Sequence, residues 1–331
     1  MTDGGEDGTV DAALEQVDVV VVGGGPAGLS GAKAVARSKR SVVVVDDDRP
    51  RNATADGAHN VLGNEGIAPR ELLAAGRAEL AAYGGQVRSG RVTDAVALPD
   101  GGFRVDLADG TSLGARRLLI ASGLQDVLPD VEGLGERWGR DVLHCPYCHG
   151  WEVRDTPVGV LATTPMAVHG TMLFSQLTAD VVYFAHTGPA LSAEDAEALA
   201  ARGVRVVEGE VVGVEVTDDR LSGVRLASGE VVPRAALVVA PQFRARDTHL
   251  ASLGLVAEDL VHAGAVLGTR IAADPTGRTS VPGVWVAGNT TDPMAQVVSS
   301  MASGLQAGAM VNADLVAEET RVLVAAARAR A

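Results

Sequence analysis

Cysteine, lysine and aromatic residues are all scarce in this chain. Only two of its 331 residues are cysteines, Cys145 and Cys148, and aromatic residues make up 3%. Two thiols are too few for a disulfide-rich scaffold or a four-cysteine zinc site. Lys33 and Lys39 are the only lysines, so arginine supplies nearly all of the 28 basic residues. We interpret that bias as genome composition and not as a binding surface.

Positive charge and long apolar runs are also missing. The formal net charge is −14 at pH 7, which argues against nucleic acid or an anionic membrane as a partner. No apolar run approaches the ~20 residues of a membrane span. Residues 1–16 lack the basic and apolar regions of a secretion signal and are predicted to form a disordered tail. We therefore expect a cytoplasmic protein, and in that compartment a lone cysteine pair is more often catalytic than structural.

The abundant residue types indicate the fold class. Glycine accounts for 40 residues, and alanine and valine dominate the apolar set. This composition is typical of buried parallel strands that alternate with helices. The length of 331 residues is enough for about two domains. We therefore expect an α/β protein.

The two cysteines lie in the run His144-Cys145-Pro146-Tyr147-Cys148-His149. Cysteines separated by two residues close a disulfide within one turn and often have a depressed thiol pKa. A structural staple is one alternative, although so small a loop removes little chain entropy. A metal site is another, but His144 and His149 directly abut the cysteines, which suits a single tetrahedral ion poorly. Redox chemistry is the interpretation we favour, and no metal is predicted.

A glycine-rich motif near the start indicates a dinucleotide site. An apolar, strand-like run leads into Gly23-Gly24-Gly25-Pro26-Ala27-Gly28, and a helix-like stretch follows over residues 29–37. Gly23 permits the tight turn, Gly25 lets the backbone approach a pyrophosphate, and Gly28 allows close packing of helix on strand. The helix N-terminus beside Pro26 and Ala27 then faces the phosphates.

A carboxylate and a second small-residue turn extend this expected site. The second strand-like segment ends at Asp46, where a carboxylate binds an adenosine ribose. Asp47 and Asp48 follow directly, so the choice among the three stays open. Small residues at Ala121 and Gly123 follow a later strand-like segment and allow the backbone to pass near a bound dinucleotide.

The C-terminal part points to FAD. A turn and a buried strand lead to Gly288 and Asn289, which resembles the second FAD fingerprint of two-dinucleotide flavoproteins. In that fingerprint an acidic residue, here replaced by Asn289, holds the ribityl chain. A helix start is expected near Pro293. Its N-terminus, with Ala295 and Gln296, is expected to stabilise negative charge at the flavin edge.

Taken in order, the motifs GGGPAG, ASG, CPYC and VWVAGN resemble those of the low-molecular-weight thioredoxin reductase family. The resemblance covers residues 17–317 and implies two dinucleotide-binding, Rossmann-like domains in a homodimer. The FAD domain is expected to be discontinuous, formed by residues 17–128 and 249–331. Residues 129–248 are expected to form a central domain with the cysteine pair and a pyridine-nucleotide fold.

In that family the central domain binds NADPH through a second glycine-rich turn and an arginine after the next strand. Here the corresponding turn, residues 162–167, contains no glycine, and Pro165 removes a backbone donor. His186 is the only possible cation after the next strand, and the acids at positions 194, 195 and 197 would repel a phosphate. We therefore expect the scaffold without its NADPH site.

A flavin–disulfide enzyme without a nicotinamide site resembles the dithiol oxidase branch of the family. That branch closes disulfides in natural products such as holomycin and gliotoxin and passes the electrons to oxygen. It has histidine directly after its cysteine pair, as at His149, where ordinary thioredoxin reductases have aspartate. The resemblance implies a small-molecule dithiol and molecular oxygen as partners.

The same resemblance implies a role for each of the two cysteines. Substrate is expected to attack Cys145, the outer sulfur, and Cys148 is expected to face the flavin. His149 is suited to accept the substrate thiol proton at neutral pH. His144 either tunes the thiolate or is simply a packed or solvent-facing side chain.

Two rival functions stay open at the level of sequence. One is a disulfide reductase that acts on thioredoxin and takes electrons from NADPH or another donor. The other is a redox-responsive binding protein without turnover.

Among the neighbours of the cysteines, Trp151 is expected to pack in the core and Glu152 to cap the cysteine helix, whereas Trp138 is a candidate for a substrate mouth. The loop over residues 51–60 is expected near the flavin.

Overall fold

The computed structural model describes residues 14–262 and 264–331, so most of the expected tail lies outside the described residues. The strands are β1 (Glu15–Val22), β2 (Val42–Asp46), β3 (Gln86–Ser89), β4 (Val92–Ala97), β5 (Phe103–Leu107), β6 (Ser112–Ile120), β7 (Leu124–Val127), β8 (Val142–Leu143), β9 (Val158–Leu161), β10 (Val181–Phe184), β11 (Arg205–Val207), β12 (Val211–Thr217), β13 (Arg220–Leu226), β14 (Val231–Pro233), β15 (Ala236–Val239), β16 (Gln242–Ala245), β17 (Glu258–His262), β18 (Ala265–Arg270) and β19 (Val284–Val286).

The α-helices are α1 (Pro26–Arg37), α2 (Pro69–Ala81), α3 (Leu134–Arg137), α4 (Pro146–His149), α5 (Met166–Phe174), α6 (Ala193–Ala201) and α7 (Val297–Arg328). Two short 3-10 helices span Thr248–Leu253 and Gly288–Thr290. Among the helices in the described ranges, none combines the length and the apolarity needed to cross a membrane.

The largest sheet joins the two ends of the chain. Its strands lie in the order β3-β2-β1-β6-β5-β4, and β19 pairs with β6. β1 runs parallel to β2 and to β6, and its last four residues, all valines, are buried. Helices cover such a sheet on both faces, so its central strands are apolar throughout. The predicted α/β class with a discontinuous first dinucleotide fold is therefore confirmed.

Helices α1 and α7 pack against each other at unusually short range. A Cβ atom on Gly304 of α7 would lie 2.0 Å from the carbonyl oxygen of Ala27. A Cβ on Gly308, one turn later, would lie 2.4 Å from the carbonyl oxygen of Gly31. Only glycine fits at these two positions of α7, and the close crossing brings the start of α7 beside the first glycine turn.

A second, smaller parallel sheet carries the cysteine segment. Its strands lie in the order β11-β10-β9-β15-β8, and the cysteine turn follows directly after β8. The antiparallel sheet β12-β13-β14 is part of the same segment of the chain. Strands β7 and β16 pair antiparallel, where the chain leaves the first part and returns to it.

Element boundaries depart from the sequence expectation at three places. β1 begins at Glu15, so the last two residues of the expected tail are strand, and α1 begins at Pro26 instead of residue 29. The helix start expected near Pro293 is wrong, because α7 begins at Val297. The side-chain amide of Asn289 donates to three backbone carbonyls between residues 292 and 295. These bonds hold the segment in a turn, so helical geometry starts only after it.

The C-terminal half of α7 is held to the large sheet by ion pairs. Arg117 of β6 pairs with Glu318, and Arg116 pairs with Glu319 at 2.7 Å. Glu319 also pairs with Arg40, which follows α1. Hydrogen bonds from Arg40, which has the larger effect, and from Arg116 lower the pKa of Glu319 to about 2.

We expect Glu319→Gln to lower the melting temperature at neutral pH and to leave it nearly unchanged near pH 2. Because the folded-state pKa lies below the ordinary value of 4.5, the carboxylate stabilises the fold fully above that value. The contribution is then lost as the pH falls toward 2. Thermal unfolding followed by circular dichroism across this range measures the effect. Glu197→Gln, at an exposed position on α6, is the control, and an identical pH dependence in both variants would contradict the assignment.

Candidate active site

One large cavity joins the first glycine turn to the cysteine turn, with a volume of about 1640 Å³. It brings together most of the residues singled out in the sequence. Those that line it are Gly23, Gly25, Pro26, Ala27, Asp46, Ala121, Gly123, His144, Cys145, Cys148, His149, Asn289, Ala295 and Gln296. Gly28 and Gly288 lie behind the wall and shape it from there.

The three motif glycines have different roles in the wall. Gly23 has φ +99°, and a Cβ there would lie 2.4 Å from the carbonyl oxygen of Ala121. A Cβ on Gly28 would lie 1.8 Å from the carbonyl oxygen of Gly23. By contrast, a Cβ on Gly25 would meet nothing within 4 Å. Gly25 therefore leaves backbone open to the cavity at the N-terminus of α1, which fits the pyrophosphate of a dinucleotide.

Hydrogen bonds within the protein hold the carboxylate at the end of β2. Asp46 Oδ2 accepts a hydrogen bond from the backbone N–H of Gly24, and Oδ1 lies 3.1 Å from the Arg77 guanidinium. Asp46 and Asp47 line the cavity, whereas Asp48 does not and pairs with Arg70 as well as with Arg77. Of the three acids, Asp46 and Asp47 are therefore the ones placed at the cavity wall, and ribose binding by either of them stays a prediction.

A histidine that the sequence did not mark lies on the same wall. His249 is 7% exposed, lines the cavity near Asp247, and its Nε2 atom has no hydrogen-bond partner among the described residues. Burial lowers the pKa of His249, so the ring is neutral at pH 7. A buried, unpartnered polar atom facing a cavity fits a ligand group that completes its hydrogen bonding. No partner for His249 is visible in the sequence, so only the fold reveals it.

The small-residue turn and the C-terminal segment meet beside the glycine motif. Gly123 has φ +70°, and its backbone N–H donates to Thr290 Oγ1 at 2.8 Å. Gly288 has φ +65°, and a Cβ there would lie 2.8 Å from the Cβ of Ala27. The C-terminal segment therefore closes over the first dinucleotide turn, as an FAD site built from both ends of the chain requires.

The side chain of Asn289 makes its hydrogen bonds to other groups of the protein. Besides holding the following turn through its amide, it accepts a hydrogen bond from Arg51, whose Nη1 lies 3.3 Å from its Oδ1. Arg51 is in turn held by Asp126 through two hydrogen bonds of 2.7 and 2.8 Å. The guanidinium lies 5.1 Å from the ring centre of Phe243. Arg51, which the sequence places only in a loop expected near the flavin, therefore supports the cavity wall by linking Asp126 to Asn289.

The cysteines form a disulfide, with their Cα atoms 5.2 Å apart. Cys145 is the N-cap of α4, and its sulfur accepts a hydrogen bond from the backbone N–H of Cys148 at 3.1 Å. Tyr147, between them, is 64% exposed. Both sulfurs are therefore held in a short turn at the cavity wall, and the sulfur of Cys145 accepts a hydrogen bond from the backbone.

His149 is a neutral base at this wall. Its Nε2 atom is buried without a hydrogen-bond partner in the described chain. Burial lowers the pKa of His149, Glu152 opposes that effect, and His59 adds to it. The ring is therefore unprotonated at pH 7 and able to accept a proton.

His144 is packed, and its ring makes no hydrogen bond to either sulfur within the described chain. Its Nδ1 lies 3.3 Å from the carbonyl oxygen of Val239, and its ring meets Phe243 edge-on at 5.4 Å. Burial lowers its pKa, and the charge of Arg51 lowers it further. Of the two roles left open for His144, packing has the structural support.

The expectations for the residues after the cysteines are wrong. The helix ends at His149, and Trp151 is 65% exposed, with the Arg154 guanidinium 4.2 Å from its ring centre. Glu152 does not cap the helix but lies against His59. Trp138, in contrast, lines the cavity and packs on the core of the central segment.

The turn after β9 stands where a second nucleotide would meet the smaller sheet. The hydroxyl oxygens of Thr163 and Thr164 are buried there without partners in the described chain, and Pro165 precedes α5. His186 and Glu210 also line the cavity at this end. Of the described residues between 129 and 238 that line the cavity, none is lysine or arginine.

Comparison with known proteins agrees with this geometry. A family model described as pyridine nucleotide-disulphide oxidoreductase matches residues 17–304. Thioredoxin reductase tcpT of Claviceps purpurea is 30% identical over 312 residues, covering 91% of this chain and 95% of that protein. Thioredoxin reductase sirT of Leptosphaeria maculans is 31% identical over 312 residues, covering 89% and 93%.

Solved structures show the same similarity in three dimensions. The crystal structure of HlmI is 45% identical to this chain with a TM-score of 0.86, covering 96% of this chain and 98% of that one. An oxidoreductase from Agrobacterium tumefaciens is 33% identical with a TM-score of 0.84, covering 91% and 99%. The similarity suggested by four short motifs thus extends over almost the whole chain.

Proposed function

The chain belongs to the pyridine nucleotide-disulphide oxidoreductase family and is an FAD-dependent thiol-disulfide oxidoreductase, and from that premise we propose that it is a dithiol oxidase. Its substrate is a small-molecule dithiol of the natural-product kind, which it closes to an intramolecular disulfide. The electrons leave through oxygen, which becomes hydrogen peroxide. The observation that carries the proposal is the second nucleotide position, where the turn over residues 162–167 contains no glycine and the described cavity-lining residues between 129 and 238 include no lysine or arginine.

The missing cation matters because a pyridine nucleotide is an anion. Its pyrophosphate needs free backbone N–H groups, and the 2′-phosphate of NADPH needs a guanidinium or ammonium group. At this position Pro165 supplies no N–H, and Glu210 adds a negative charge to the wall. His186 cannot compensate, because burial lowers its pKa and its Nδ1 already accepts the backbone N–H of Val211. Electrons that enter the protein must therefore come through the cysteines.

The cysteine pair receives those electrons in two exchanges. A substrate thiolate attacks Cys145 and breaks the bond to Cys148, so that a mixed disulfide forms. The second substrate thiol then displaces Cys145 and leaves as part of the cyclic disulfide. The substrate loses two electrons and two protons, and both cysteines are reduced. The backbone N–H of Cys148 faces the sulfur of Cys145 and stabilises that sulfur as it leaves with negative charge.

His149 supplies the base for the first exchange. Only the thiolate is nucleophilic, so the substrate thiol must lose its proton before it attacks. The imidazole of His149 is unprotonated at neutral pH and lines the cavity beside the disulfide. Its protonated form is then balanced by the nearby carboxylates of Glu152 and Asp56.

The protein holds the cofactor through the residues already described. The open backbone at Gly25 and the fixed carboxylate of Asp46 fit the pyrophosphate and the ribose of FAD. The first turn of α7, next to Gln296, lines the same cavity, and a helix N-terminus has free backbone N–H groups and a partial positive charge. Bound there, FAD supplies the two-electron chemistry that links the dithiol pair to oxygen, so one peroxide forms for each substrate disulfide.

The assembly around this chemistry is part of the proposal. We infer a homodimer, in which residues 17–128 and 249–331 form the FAD domain and residues 129–248 the central domain. The pairing of β7 with β16 at the junction of these segments and the addition of β19 to the first sheet support that division.

Peroxide formation without NADPH tests the proposal. The purified FAD-loaded protein is expected to consume oxygen and release one peroxide per dithiothreitol oxidised. Adding NADPH anaerobically is expected to leave the flavin absorbance unchanged, because the second nucleotide position cannot bind its phosphates. Oxygen-electrode and absorbance measurements on the same preparation check both expectations.

One rival function has support of its own, because the similar proteins tcpT and sirT carry the name thioredoxin reductase. Rapid bleaching by NADPH, followed by reduction of thioredoxin, would establish that rival and overturn the oxidase. Bleaching by dithiothreitol without any turnover in air would instead indicate a binding protein. A panel of dithiols, compared by kcat/KM, then identifies the substrate class.

A further inference from the structure

Two neighbouring residues of the loop after β2 hold the cysteine turn from the other side of the cavity. The Asn60 side-chain amide donates to the carbonyl oxygen of Tyr147 at 2.8 Å, and Tyr147 lies between the two cysteines. His59 Nε2 lies 3.4 Å from the Glu152 carboxylate, just beyond the end of the cysteine helix. The chain is thus held on both sides of Cys148.

Contacts within the loop hold His59 and Asn60 in place. One oxygen of Glu65 accepts the backbone N–H of Asn60 at 2.9 Å, and the other lies 2.7 Å from His59 Nδ1. An antiparallel bridge between Ala58 and Ile67 closes the loop behind them.

Asn60 also occupies an unfavourable backbone conformation. Its φ is +60°, in the left-handed region that asparagine tolerates better than most residues with a side chain. Local strain of this kind persists where the surrounding structure enforces it, and it is concentrated at functional sites. In this conformation the amide of Asn60 reaches the carbonyl oxygen of Tyr147 in the cysteine turn.

We propose that His59, Asn60 and Glu65, the loop clamp, are positioning residues that fix the cysteine turn at the distance from the flavin side of the cavity that electron transfer requires. The inference rests on the proposed function only in that the reduced cysteines hand their electron pair to the flavin. In that step the bond between Cys145 and Cys148 re-forms as two electrons and two protons leave. The clamp exchanges no atoms with either partner.

Two substitutions at Asn60 isolate the contact to Tyr147. Asn60→Asp keeps the shape and the tolerance for positive φ but turns the donor into an acceptor. Asn60→Gly removes the amide and suits the positive φ. In both variants the limiting rate of anaerobic flavin bleaching by dithiothreitol is expected to fall by ~10-fold or more, because a displacement of ~1 Å can cost ~10²-fold. The half-saturating dithiothreitol concentration is expected to stay the same.

A second measurement distinguishes positioning from a general loss of structure. After reduction, the cysteines are alkylated with iodoacetamide, and a freed turn is expected to react several-fold faster than the clamped one. Asn64→Asp is the matched control, because Asn64 is an exposed asparagine of the same loop. It is expected to bleach and alkylate at the wild-type rates, and all variants are expected to retain FAD.

Unchanged bleaching and unchanged alkylation in Asn60→Gly would overturn the clamp, as would slower bleaching without faster alkylation. If neither Asn60 variant loads FAD, Glu152→Ala removes the contact to His59 from the central segment, and wild-type rates there would equally overturn it. A wild-type protein that bleaches with dithiothreitol but makes no peroxide would contradict oxygen as the acceptor. The clamp comparison would still be decided by the two anaerobic measurements.

Discussion

Cys148→Ser is expected to abolish dithiol oxidation, and Cys145→Ser is expected to do the same. Deleting a residue that forms a covalent intermediate typically lowers kcat by ~10⁴-fold or more, and the chain has no third cysteine to replace the lost thiol. Peroxide release with saturating dithiothreitol measures the loss. Tyr147→Phe, at an exposed side chain inside the same turn, is the control and is expected to remain active.

The two cysteine variants are expected to differ before turnover. With Cys145→Ser, the remaining thiol of Cys148 is the sulfur assigned to the flavin side, so its thiolate is expected to add long-wavelength charge-transfer absorbance to the flavin spectrum. With Cys148→Ser that absorbance is expected to be absent. The opposite pattern would exchange the roles of the two sulfurs, and peroxide release by either variant at the wild-type rate would refute the cysteine route altogether.

His149→Ala is expected to lower the rate of substrate oxidation at pH 7 by ~10²-fold or more, the range in which general bases contribute. Because burial lowers the pKa of His149, the base of the wild-type protein is already active below the ordinary histidine value of 6.5. The wild-type rate is therefore expected to rise with pH along a limb centred below 6.5. In the variant that limb is expected to disappear.

Anaerobic bleaching by dithiothreitol, followed from about pH 5 to about pH 9 so that the range includes the ordinary histidine pKa, measures both effects. At high pH the substrate thiol ionises without help, so the deficit of His149→Ala is expected to shrink there. His169→Ala, at another histidine that lines the cavity, is the control for the loss of an imidazole and is expected to keep the pH-dependent limb. A deficit that stays constant across this range would assign His149 a structural role instead of proton transfer.

Local patterns carried most of what the sequence predicted about this site. The glycine turn and the cysteine pair each depend on residues within one short segment, so their spacing already fixes the geometry. The same holds for Asp46, which lies at the end of its strand. Contacts between distant segments were invisible: Arg51 meets Asp126 and Asn289 only after the chain has folded.

The failures have the same physical origin. The expected helix start at Pro293 relied on local propensity, but the amide of Asn289 fixes the preceding turn from outside that segment. Trp151 was assigned to the core because large aromatic residues are usually buried, yet it lies on the surface beside Arg154. The contacts of the clamp residues His59 and Asn60 with Glu152 and Tyr147 were not visible, because those two partners lie far along the sequence.

Helix α7 connects the cofactor end of the molecule to a distant surface. Its 32 residues span about 48 Å at ~1.5 Å per residue. Its first turn, with Val297 and Ser300, lines the cavity, whereas Glu318 and Glu319 are anchored to arginines well over halfway along it. A helix is stiff along its axis. If the ion pairs near the C-terminal end of α7 are lost and that end shifts, the first turn beside the cofactor shifts with it. Retention of FAD is therefore expected to be sensitive to carboxylates that never approach the cofactor.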